Sequence, residues 1–207
     1  MRRSAFHRSA MDRRVARMEA STRGTNMRRQ HLGFTLIEAT LALAVAGVVA
    51  GIAIPAVTGT ISAVHAATAK AAMVETFSKA LTHSTVTGAE VVLCPTSGGD
   101  ACADTIDWSG GWIAFADLDG NRNRGPNETL LQQQAALTNG AHLRGTSGRK
   151  RLVFQPGGGA AAGSNVTFTL CDSRGVAKAT TLVLANNGRF RQGKPTADAA
   201  WACMQPP

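Results

Sequence analysis

Phe34 to Ile54 reads FTLIEATLALAVAGVVAGIAI, twenty-one residues with one ionisable group, Glu38. As an α-helix rising about 1.5 Å per residue, the stretch spans roughly 30 Å, the thickness of a bilayer's hydrocarbon core. Arginines precede it, and Gly33 stands immediately before it. Basic residues stay on the cytoplasmic side, so the pattern keeps residues 1–33 inside and sends the rest of the chain outward. A secretory signal also joins a basic stretch to an apolar run, but its core is uncharged and its cleavage site follows that core. Here a glycine precedes the core and a carboxylate lies within it. A glutamate near the edge of an apolar span is costly, and it marks function unless it reaches the interface.

Working outward, the charge divides at the same place. The net charge of +9 invites a nucleic-acid reading. Residues 1–33 hold nine arginines against Asp12 and Glu19, a balance of +7, so the rest of the chain carries only +2. That remainder is polarised. From Ala71 to Asp119 one base, Lys79, faces seven acids, whereas from Leu143 onward nine bases face only Asp172 and Asp198. A basic C-terminal third therefore remains when the leader is set aside.

Past the span, Val64, Ala67, Ala71, Val74, Phe77 and Leu81 recur at three- and four-residue intervals, which predicts one apolar helix face. Beyond Gly88 short β-type runs alternate with Gly, Asn and Pro clusters: Glu90–Leu93, Trp112–Ala116, Leu152–Gln155, Val166–Cys171 and Thr180–Ala185. The expected fold is α+β: a long N-terminal helix over 34–84, transmembrane over 34–54, packed on a small antiparallel β-sheet domain over 85–207.

Cys94, Cys102, Cys171 and Cys203 all follow the span, in the compartment where disulfides persist. Four cysteines admit three pairings. Cys94–Cys102 would close a short loop, and Cys171–Cys203 would tie the tail to a central strand. Zinc is disfavoured, because no CxxC knuckle exists and no His stands at a short offset from Cys94 or Cys102. Asp117, Asp119, Asn121, Asn123 and Glu128 stand at EF-hand-like offsets, but Arg122 occupies the sixth position where that loop needs glycine, so the segment reads as a polar turn. His65, His83 and His142 have no nucleophile motif beside them, and Ser109 and Ser147 lie in no GxSxG elbow. We expect no enzyme, no cofactor and no metal.

His31-Leu32-Gly33-Phe34-Thr35-Leu36-Ile37-Glu38 resembles the prepilin processing site of type IV pilins and type II secretion pseudopilins. The resemblance implies cleavage after Gly33, N-methylation of Phe34, and pairing of Glu38 with a neighbouring subunit's terminal amine. Pro55 matches a family proline that bends the helix. The leader is long for the family, and Met27 would give a leader of ordinary length, so residues 1–26 are expected to precede the true start. Val91–Pro95, Cys102, Trp108 and Gly111–Phe115 are spaced as in the GspH/FimT family of minor pseudopilins. Asn187-Gly188-Arg189-Phe190-Arg191 further resembles the C-terminal GRxR motif of FimT-like minor pilins, which contributes to DNA binding in natural transformation.

Gly188, Arg189 and Arg191 match that motif position for position, and Lys194 lies close by. Asn186-Asn187-Gly188 reads as a turn that presents both arginines on one flank. Arg149-Lys150-Arg151 adds charge if the fold brings it near. The expectation is an inner-membrane, single-pass subunit with its globular part in the periplasm. Its partners would be prepilin peptidase, other pilin subunits and double-stranded DNA. The alternative is a purely structural minor pseudopilin of a type II secretion system.

Overall fold

The computed structural model describes residues 33–205. The expected cytoplasmic leader, apart from Gly33, lies outside the described residues. The chain divides into two compact units, Met1–Ala44 and Val45–Pro207, with the division falling inside helix α1 (Leu36–Thr87).

In the first unit the helix begins at a capping arrangement written in the sequence. Thr35 Oγ1 accepts from the Glu38 amide at 3.2 Å, satisfying one of the donors that a helix start leaves free. Phe34, Leu36, Ile37, Leu41 and Leu43 are all exposed. In length and composition α1 suffices to cross a membrane, with a mean hydropathy of 2.3 over its most apolar window. The helix continues through Pro55.

In the second unit α1 covers two antiparallel sheets. The first has the order β3-β2-β1-β5, built from β1 (Glu90–Pro95), β2 (Trp112–Asp117), β3 (Leu130–Gln134) and β5 (Leu152–Phe154). The second has the order β4-β6-β7-β8, built from β4 (His142–Arg144), β6 (Val166–Cys171), β7 (Thr180–Leu184) and β8 (Phe190–Gly193). A short helix α2 (Ala197–Met204) closes the described chain. The core lies beneath α1, where Met73, Phe77 and Ala80 meet Leu93, Trp112 and Phe154 of the first sheet and Phe168, Leu182 and Leu184 of the second. The opposite face of the first sheet buries Val92, Ile113, Phe115 and Val153 in a smaller cluster. Strands buried on both faces read as continuous apolar runs rather than alternating ones, which is the pattern of VVLCP and WIAFA.

Three expectations need correction. The strand candidates imply one sheet, and two are present, because β3, β4 and β8 are too short or too polar to register as strands alone. The buried face of α1 follows Ser62, Ala66, Ala69, Met73, Thr76, Phe77, Ala80 and Ser84, whereas Val64, Ala67 and Ala71 face outward. Phe77 is buried and Val74 and Leu81 pack against the core as expected, so the face is shifted only in part, and it also takes in three hydroxyls that are individually satisfied. Ser62 bonds the Thr58 carbonyl and Ser173 Oγ, Thr76 accepts from Trp112 Nε1, and Ser84 donates to the Phe154 carbonyl. Finally, α2 falls where only a tail was expected.

Candidate functional site

The β7–β8 hairpin carries the basic motif, and its turn explains one of the matched residues without any ligand. Gly188 N donates to the Ala185 carbonyl at 2.9 Å, and Ala185 N donates to the Arg189 carbonyl at 3.0 Å. That closes a three-residue loop whose last position is left-handed, with Gly188 at φ +75°. The loop also rests on a neighbour. Ala160 N donates to the Asn186 carbonyl at 2.8 Å, and a Cβ on Gly188 would stand 3.4 Å from Gly159 Cα and from Leu81 Cδ2. Gly188 is therefore a turn residue, and the chemistry falls to the side chains after it.

Those side chains are sorted by Phe190. Its ring stacks parallel on Phe77 at 4.9 Å, and Phe77 also touches Phe154 and Phe168 of the two sheets. Successive residues in a strand point to opposite faces, so anchoring Phe190 inward turns Arg189 and Arg191 outward together. Both are exposed, as is Lys194 just past the strand. Gln192, on the Phe190 side, accepts from Lys70 of α1 at 3.1 Å. Among the described residues, the side chains of Arg189, Arg191 and Lys194 have neither an ion-pair nor a hydrogen-bond partner. Sequence reasoning weighed the two arginines and passed over Phe190, although the alternation Arg-Phe-Arg was the available signal.

The Arg149-Lys150-Arg151 run splits in two. Lys150 pairs with Asp104 at 2.8 Å, and Arg151 lies 3.8 Å from the same carboxylate. The Lys150 hydrogen bond and charge hold the Asp104 carboxyl below the usual aspartate range. Arg149 instead donates to the Asn165 carbonyl at 2.8 Å and Asn165 Oδ1 at 3.3 Å. The register Val166↔Leu184↔Phe190 puts Asn165, Ala185 and Arg189 in the next row across the sheet. Two strand spacings separate the outer members of that row, about 10 Å. Arg149 thus extends the basic face, and its two neighbours do not.

The acidic turn between β2 and β3 brings carboxylate oxygens of Asp117, Asp119 and Glu128 within 4.8 Å of one another. Main-chain amides already occupy them: Gly120 and Arg122 donate to Asp117, Asn121 to Asp119, and Leu118 and Gly125 to Glu128. Arg122, in the position of the missing glycine, takes φ +60°. Burial pushes the Asp117 carboxyl up, against the lowering effect of the Arg122 and Gly120 amides. Arg124 pairs with Asp100 beside it.

Two disulfides brace the unit, Cys94–Cys102 and Cys171–Cys203. The second anchors α2 against β6, with Ala200 and Cys203 buried over Cys171 and Ala179. Arg144 adds a bond to the Ala202 carbonyl at 3.1 Å, and Thr196 caps the start of α2. At the other end of the chain, Gly33 and Phe34 are exposed, and the Glu38 carboxylate has no partner among the described residues.

The family described as type II transport protein GspH matches residues 71–188, and the prokaryotic N-terminal methylation motif matches residues 28–54. No curated protein matches. Two crystal forms of the type IV minor pilin FimU from Pseudomonas aeruginosa have similar structures. One is 12% identical with a TM-score of 0.49, covering 67% of this chain and 91% of that one. The other is 15% identical with a TM-score of 0.44, covering 62% and 94%. The GspH match spans more than half of the sequence and begins within the helix that the methylation motif opens, so the chain belongs to the GspH family and is a membrane-anchored minor pilin or pseudopilin, a structural subunit that assembles with other pilins.

Proposed function

We propose that this subunit binds DNA along the β7–β8 hairpin and serves DNA uptake from a pilus-like filament, with its globular part in the periplasm. The observation that carries the reading is the outward pair Arg189 and Arg191, whose side chains have no partner among the described residues and are held in register by the Phe190–Phe77 stack. Elsewhere several surface cations are matched to acids, as in Lys79–Glu75, Arg124–Asp100, Lys150–Asp104 and Arg174–Asp172. Unmatched guanidiniums spaced along an exposed strand suit phosphate contact, which gives weak, sequence-independent, salt-sensitive binding. Lys194 and Arg149 widen the same face. Gly33 and Phe34 serve as the processing site, and Glu38, a carboxylate in an apolar helix with no partner among the described residues, pairs with the amine of a neighbouring subunit. A retardation assay with the detergent-solubilised full-length chain and duplex DNA tests the central step. Arg189→Ala plus Arg191→Ala should weaken the shifted band markedly, and undiminished binding would remove the assignment.

The second reading, a structural pseudopilin of a type II secretion system, has the matched family's own description in its favour. Under that reading the double variant would bind DNA no differently from wild type and would instead impair secretion.

A further inference from the structure

The protein has three tryptophans, and the fold treats one of them differently. Trp108 and Trp112 are fully buried, whereas Trp201 is 60% exposed. Its position follows from how α2 is fixed. Ala200 and Cys203 face inward, the Cys171–Cys203 bridge pins the helix, Thr196 Oγ1 caps its first turn, and Arg144 binds a carbonyl in its last. With those contacts set, the indole between them is held outward on a rigid helix. It lines a surface pocket of about 310 Å³ together with Lys194, Pro195 and Val176. Lys194 is also three residues from Arg191, within about 10 Å along the chain. Lys194 therefore links the two features: it shares a pocket with Trp201 and follows Arg191 closely in the chain. Asp198, in the first turn of α2, is the acid of that helix and stands against the three cations Arg189, Arg191 and Lys194.

Cations alone recognise a phosphate backbone, and a ring beside them adds a surface on which an unpaired base can stack. Bases inside a duplex are already stacked on each other and have no free face to offer. We propose that Trp201 is a base-stacking platform, which makes the hairpin site selective for single-stranded DNA over duplex. The inference rests on the DNA-binding reading given above. It adds to that reading a ligand form and a residue outside the motif.

The test uses the full-length chain in detergent, with a fluorescein-labelled thirty-nucleotide single strand and the corresponding duplex, followed by anisotropy. Replacing one stacking aromatic by alanine costs on the order of five- to a hundredfold in affinity for a single strand. Trp201→Ala should lose that much for the single strand and less than about twofold for the duplex. Trp201→Phe, which keeps an aromatic face, should retain most of the single-strand affinity and guards against a folding defect. In the wild type, the single strand should quench tryptophan fluorescence, and Trp201→Phe should lose that response. Equal loss for both DNA forms, or no loss in Trp201→Ala while Arg189→Ala plus Arg191→Ala is impaired, overturns the stacking role and leaves the arginine reading standing. Undiminished binding of both DNA forms by the arginine double variant, or no DNA bound by wild type, overturns both.

Discussion

Replacing Phe190 by alanine removes no charge, yet it should weaken DNA binding, because Phe190 decides which way its neighbours point. The ring is partly buried and stacks on the fully buried Phe77. A fully buried Phe→Ala change costs about 3–5 kcal/mol. Partial exposure roughly halves that loss, and the lost stack adds about 0.5–1.5 kcal/mol. The net expectation is about 2–4 kcal/mol. Much of this should appear locally, because β8 is an edge strand held otherwise by its pairing with β7 and by the Lys70–Gln192 bond. Denaturant unfolding gives the global loss, and hydrogen exchange across residues 185–194 gives the local one. The expected result is faster exchange in β8 with β1 and β2 unchanged, and a several-fold drop in duplex affinity. Phe190→Leu should recover most of both. Unchanged β8 exchange with a stability loss below about 0.5 kcal/mol would refute the anchoring argument.

Three further outcomes follow from the same geometry. Cys171→Ser plus Cys203→Ser opens a loop of 32 residues' separation and should cost about 3–4 kcal/mol in denaturant unfolding under oxidising conditions. Asp172 accepts two side-chain bonds from Arg174, which hold its carboxyl below the usual aspartate range. The unfolded chain then takes up the proton first on acidification, so this contribution is complete above the unfolded pKa and is lost as pH falls through the folded one. The stability gap between wild type and Asp172→Asn should be constant near neutrality and close below about pH 4 in urea midpoints. Mass spectrometry of the subunit recovered from membranes should find a chain beginning at Phe34 and carrying one added methyl group. An unprocessed N-terminus would contradict the assignment of Gly33.

Legibility in the sequence varied with how local the determinant was. The apolar run from Phe34 states its role within a few residues, the strands at Val91 and Trp112 read as continuous apolar runs, and Val166–Cys171 alternates apolar residues with threonine. Edge elements carry no such signal. β4 is three residues long, and three of the five residues of β3 are glutamine. Each takes its strand character from a partner, His142↔Cys171 in one case and Trp112↔Gln134 in the other. The partly shifted face of α1 has a similar origin. Ser62, Thr76 and Ser84 read as surface residues until Ser173, Trp112 and the Phe154 carbonyl supply their bonds. At the candidate site, Arg189 and Arg191 were legible as a motif. The features that aim and extend them come from distant segments: Phe77 is over one hundred positions away, Arg149 forty, and α2 is fixed by a disulfide.

The most direct measurement is the salt dependence of duplex binding by the full-length chain, with and without the two arginines. Each phosphate contact contributes about 0.9 to the slope of log K against log salt concentration. The account predicts that Arg189→Ala plus Arg191→Ala lowers the magnitude of that slope by about 2, with the fold of the unit intact. An unchanged slope would contradict it and place the DNA contacts, if there are any, on some other part of the protein.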